Sequence, residues 1–105
     1  MSELTNEQHQ ALDRANRAAA ITQDPLLVGA VAQLEEDLFE VWKDPKLTPE
    51  QREELHRMHK TLQRFVSVLD AYVVGGAEAR HILGLPAPEK SFFQRIKELI
   101  HGQEG

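Results

Sequence analysis

Apolar residues recur at alternating steps of three and four along two stretches of this chain. Leu27, Val31, Leu34, Leu38 and Val41 make the first stretch, and Leu55, Met58, Leu62, Phe65, Leu69 and Tyr72 make the second. That period belongs to helices packed along a coiled-coil-like seam. Between them lies Asp44-Pro45-Lys46-Leu47-Thr48-Pro49, where each proline pushes the preceding residue out of the α region. The pattern predicts an all-α protein whose main feature is a long antiparallel helical hairpin with its turn at 44–48.

Setting Leu38 opposite Met58 brings Leu34 to Leu62, Val31 to Phe65 and Leu27 to Leu69. The same register pairs Glu40 with Arg57, Glu36 or Asp37 with Lys60, and Gln33 with Arg64. Extended outward, it sets Ala19 by Ala77, Ile21 by Gly75 and Leu12 by Gly84, so that small residues meet and the backbones approach closely.

Start and stop signals divide the chain further. Thr5 with Gln8, Thr48 with Gln51 and Ser91 with Gln94 all have capping-box spacing, and Pro49 follows its cap as a first helical residue should. Asp24-Pro25 is another cap followed by proline, which predicts that the first helix is kinked or broken near Pro25. Gly75-Gly76 weakens the second long helix, yet Ala79, Ile82 and Leu83 continue its period, and Gly84 followed by Pro86 is the better stop. A helix running to about residue 83 is expected. The expected organisation is thus a hairpin domain over 1–84, a proline-rich linker over 85–90 and a short amphipathic helix over 91–102.

Composition narrows the function. A chain of 105 residues with 41% hydrophobic and 28% charged residues is one domain, and a two-helix hairpin of this size buries less surface than a compact globule, so self-association is an expected source of stability. A homo-oligomer, most simply a dimer, is expected, with the seam residues holding it. The absence of cysteine removes disulfides, thiol nucleophiles and cysteinyl metal sites, and fits a reducing cytoplasm. The acidic start, Met1-Ser2-Glu3-Leu4-Thr5-Asn6-Glu7, lacks the positive region of a signal peptide, and no apolar run reaches membrane-spanning length. A net charge of −5 argues against nucleic acid as a partner. The acid is concentrated early: residues 1–45 carry nine acidic and three basic side chains.

Chemistry-bearing patterns are few. Glu53-x-x-His56 has the spacing of helical di-iron sites, to which Glu36 or Glu40 would add a carboxylate, and His56-x-x-His59 has two-ligand spacing on one face. A ferritin-like metal protein is therefore an alternative, although the register points Glu53 away from the seam. Glu35, Glu36, Asp37 and Glu40 lie on an open helix surface facing Arg57 and Lys60. They lack the desolvated cleft that acid–base chemistry needs. Arg52, Arg57, Lys60 and Arg64 form a modest basic stripe that this acidic helix neutralises. No phosphate loop or nucleophile elbow is present, no cofactor is called for, and no enzyme activity is expected.

The C-terminal segment is the main candidate for function. Phe92, Phe93, Ile96, Leu99 and Ile100 form a broad apolar face with Lys90, Arg95 and Lys97 beside it. So short a helix is marginal alone and must dock. It folds back onto its own hairpin, docks on a dimer mate, or serves as a tethered helix for another protein, with Phe92, Phe93, Arg95, Ile96, Leu99 and Ile100 as the binding residues. Attachment to a membrane surface is a weaker fourth role.

Asp24-Pro25-Leu26-Leu27, Leu34-Glu35 with Glu40-Val41-Trp42-Lys43, and Pro49 with Arg52-Glu53 resemble a group of small helical proteins of tailed bacteriophages and prophages. The resemblance spans residues 24–83. Trp42-Lys43 and Arg52-Glu53 are the parts that packing does not demand, while the turn Asp44-Pro45-Lys46-Leu47-Thr48 departs from the pattern. The resemblance carries no catalytic residues. It implies a phage protein in the bacterial cytoplasm or the virion, acting in virion assembly or as an accessory factor. A small acidic inhibitor of a host or defence protein is the alternative.

Overall fold

The computed structural model describes residues 3–102, with side chains as far as Ile100. The described residues form five helices and no strand: α1 (Asn6–Thr22), α2 (Pro25–Trp42), α3 (Pro49–Val74), α4 (Ala77–Leu83) and α5 (Phe92–Gly102). None of these helices is long and apolar enough to cross a membrane.

The caps form as their local sequence dictates. Thr5 and Thr48 each accept from the N–H of the glutamine three residues on, and that glutamine returns the bond to the cap backbone. Ser91 and Gln94 make the same pair at α5. Asp24 Oδ1 accepts from Leu26 N–H at 2.9 Å, with Pro25 as the first residue of α2. Gly84, at φ 71°, closes α4, where Leu85 N–H reaches the Arg80 carbonyl at 2.8 Å and Gly84 N–H reaches that of His81.

The expected helix to residue 83 is instead two helices, α3 and α4, separated at Gly75-Gly76. A Cβ on Gly76 would lie 2.4 Å from the Cβ of Ala15, so α1 and the start of α4 meet backbone to backbone. The glycine is needed for that approach. Ala15, Ala18, Ala19 and Ala79 are buried around the junction, and Asn16 Oδ1 accepts from Arg80 Nη2 at 2.8 Å.

The second packing centre lies where α5 settles against α2 and α3. Val28, Val31, Ala32, Val66, Phe92 and Ile96 are its buried residues, with Leu27, Leu62, Leu69 and Ile100 packed against them. Burying Phe92 and Ile96 contributes roughly 1.5–3 kcal/mol each, enough to hold a helix too short to persist alone.

Insertion of α5 changes which side of each seam is covered. Of the expected seam residues, Val31 is buried, Leu27, Leu38, Leu55, Leu62 and Leu69 are half-buried, and Leu34, Val41, Met58, Phe65 and Tyr72 are exposed. Val66, rather than Phe65, is the buried α3 residue because it faces α5. The expected Glu40–Arg57 pair is likewise absent. Glu40 pairs with Lys43 at 3.1 Å on its own helix, and Arg57 pairs with Glu53 and Glu54 on its own.

The molecule measures 64 × 31 × 16 Å with a radius of gyration of 17.5 Å. A compact domain of this length would have a radius of about 13 Å.

Candidate functional site

Three features on α2 and α3 define the surfaces this chain offers. The first is a clasp across the 43–48 turn. Arg52 donates from Nη1 to the Trp42 carbonyl at 3.2 Å and from Nη2 to the Asp44 carbonyl at 3.0 Å, and its guanidinium lies 5.0 Å from the centre of the Trp42 ring. The Trp42 carbonyl ends α2 without a helical partner, and the Asp44 carbonyl lies in the turn just beyond it, so a cation there is favourable. Arg52→Ala should cost about 1–2 kcal/mol in urea unfolding. Arg52→Lys should recover little of that, because one ammonium cannot span both carbonyls while stacking on the ring.

The second feature is an exposed apolar face. At 100° per residue, Met58, Phe65 and Tyr72 lie roughly 80–120° around α3 from Val66, on the side away from Asp70, which contacts α5. Leu34 and Val41 lie roughly 60–80° around α2 from Val31, on the side away from Val28 and Ala32. Both stripes therefore fall on the side of the α2–α3 pair opposite α5. Arg14 extends the same side onto α1, its guanidinium lying 5.5 Å from the centre of the Tyr72 ring.

The third feature is a groove of about 780 Å³ between α2 and α3 near the turn, on the α5 side. Leu38, Phe39, Trp42, Leu55 and Ile100 line it as apolar groups. Glu35, Glu36, Asp37 and Glu40 line it as acids, with Lys43, His56 and His59. Lys43 Nζ also sits 4.7 Å from the centre of the Phe39 ring.

The C-terminal residues expected to bind a partner divide between core and surface. Phe92 (0% exposed) and Ile96 (2%) lie in this chain's own core, Arg95 and Ile100 are half-buried, and Phe93 and Leu99 remain exposed. Docking in cis is fixed by a contact that sequence spacing did not suggest. The Asp70 carboxylate accepts from Phe92 N–H at 2.7 Å and from Phe93 N–H at 3.1 Å, satisfying the open amides that begin α5. Nothing local to Asp70 marks this role, because its partners are more than twenty residues away.

The metal-ligand candidates do not converge. Glu53 is exposed and held by Arg57 at 3.0 Å, whereas His56 and His59 line the groove. Among the described residues no three potential ligands come together. Phe39, which no seam position singled out, is one of the most exposed aromatic side chains and lies one residue beyond Leu38. Comparison with family models, with curated proteins and with solved structures yields no match for this chain.

Proposed function

We propose that this is a non-enzymatic, self-associating α-helical protein that works through protein–protein contacts. In this reading α1 and α2 form one arm of a helical hairpin, α3 and α4 form the other, and a second copy covers the face of Leu34, Val41, Met58, Phe65 and Tyr72. The observation that carries it is exposed area. The chain exposes 7715 Å², whereas a folded monomer of 11.9 kDa should expose about 5,900 Å². The excess of roughly 1,800 Å² exceeds the roughly 800 Å² that each partner contributes to a standard interface. Four of the five residues on that face are large apolar groups, and Tyr72 adds an aromatic surface with a polar end.

The resemblance of residues 24–83 to small tailed-phage proteins is what favours a virion-assembly or accessory role in the bacterial cytoplasm or the virion. The carboxylates of α2 support a second reading, an acidic inhibitor of a host or defence protein.

Phe65→Glu tests the association. Its side chain is exposed in the single chain, so far-UV circular dichroism should be unchanged. Light scattering should give the wild type a mass twice that of the chain and the variant the mass of one. The dimer should weaken by at least about 100-fold, near 3 kcal/mol. A wild type of single-chain mass, or a variant that associates as strongly, would overturn the reading.

A further inference from the structure

We propose that the groove between α2 and α3, where α5 ends, binds a basic amphipathic helix from another protein. The cradle formed by these two helices already holds one amphipathic helix, since α5 inserts Phe92 and Ile96 into it. The groove continues that cradle toward the turn. Ile100 marks the end of the filled part, and Leu38, Phe39, Trp42 and Leu55 line the open part. Phe39 is 59% exposed and Trp42 42%, although the groove has the size of a binding site. Such a surface suits a helix that presents apolar residues at steps of three and four.

Charge decides which helix. Four carboxylates line the groove, against one ammonium, that of Lys43, which Glu40 already holds. Asp37 accepts from Gln33, and neither Glu35 nor Glu36 has an ion-pair partner among the described residues. An occupant with lysine or arginine beside its apolar stripe would complement these groups and be steered toward them. Gln103-Glu104-Gly105, which follow α5 in the sequence, bring no apolar side chain and a further acid, so those three residues lack this chemistry. In a second copy the basic residues of α5 flank an apolar face docked in cis, and the exposed stripe of Met58, Phe65 and Tyr72 on α3 is the one the proposed dimer covers. The groove and the exposed seam lie on different sides of the α2–α3 pair, so the two surfaces do not compete.

Trp42, the only tryptophan of the chain, reports occupancy directly. The probe is a synthetic helical peptide of about four turns, roughly 20 Å, free of tryptophan, with leucines at steps of three and four and lysines beside them. A control peptide carries glutamates in place of the lysines. Added to the full-length protein, the lysine peptide should shift Trp42 emission saturably with micromolar affinity, and the glutamate peptide should bind at least tenfold more weakly. High salt should erode that preference. Glu35→Lys with Glu36→Lys should abolish or reverse it, and Phe39→Ala should weaken the lysine peptide at least fivefold, both with unchanged helix content. Equal binding of the two peptides, no binding of either, or indifference to these substitutions would overturn the proposal. So would a change in the mass of the protein alone on making Glu35→Lys with Glu36→Lys, which would make a second copy the occupant. Dimerisation is read separately through Phe65→Glu, so failure of one proposal leaves the other standing.

Discussion

Phe92→Ala should destabilise the protein by about 3–5 kcal/mol, the usual cost of emptying a fully enclosed phenylalanine site. For a domain of this size each kcal/mol lowers Tm by roughly 4–8 °C, so calorimetry should show a drop beyond about 12 °C. The loss should be concentrated at α5, whose eleven residues have little helical stability away from α2 and α3. Hydrogen exchange should show the α5 amides losing protection before those of α1. Phe93→Ala is the internal control. That ring is exposed beneath Lys97, 4.8 Å from its centre, and its removal should cost less than about 0.5 kcal/mol. If the two substitutions cost the same, α5 is not docked as described. Should Phe92→Ala fail to fold, Asp70→Ala gives a milder version. It removes both bonds to the α5 amides and should cost about 1–2 kcal/mol.

Gly76→Ala should also destabilise, by about 1–3 kcal/mol, because the N-cap position of α4 prefers glycine to alanine and the close approach of α1 leaves no room for a methyl. The added methyl would meet Ala15 Cβ at 2.4 Å, and neither group is the end of a flexible side chain that can swing away. Gly29→Ala provides the contrast within the same protein. It lies inside α2 with nothing within 4 Å of the new methyl, so it should stabilise by about 0.5–1 kcal/mol. Ala15→Gly in the Gly76→Ala background should recover part of the loss. A double-mutant cycle should return a coupling of at least about 1 kcal/mol. Additive effects, or a Gly76→Ala variant as stable as Gly29→Ala, would show that α1 and α4 do not meet at this glycine.

The features legible in the sequence are those whose partners lie within four residues. The Thr5, Thr48 and Ser91 caps and the start at Asp24-Pro25 depend on neighbouring side chains and on proline stereochemistry. The break at Gly75-Gly76 was visible as two glycines. What decides it is a methyl on α1 some sixty residues away, while the local period favoured continuity. The two seams were visible as stripes. A period cannot say whether Phe65 or Val66 points inward once a third helix competes for the face, and α5 made that choice. Glu40 and Arg57 followed the same logic, each finding a closer partner on its own helix.

The surfaces were legible only in pieces. Glu35, Glu36, His56 and His59 stood out as acid and metal-ligand patterns, and all four line one groove. Phe39, which gives that groove much of its exposed aromatic surface, fell outside the seam period and carried no motif. Arg52 and Trp42 stood out through resemblance, and the clasp they make on the end of α2 gives them a physical role in the turn.

Hydroxyl-radical footprinting of the wild-type protein, read by mass spectrometry, compares the two sides of the α2–α3 pair within one sample. Phe65 and Phe93 are almost equally exposed in the single chain, at 46% and 45%, and lie on opposite sides of it. Covering of the seam by a second copy predicts that Phe65 is oxidised several-fold more slowly than Phe93, and that the difference vanishes on dilution to the monomer. Equal rates at a concentration where the wild type is fully assembled would contradict it.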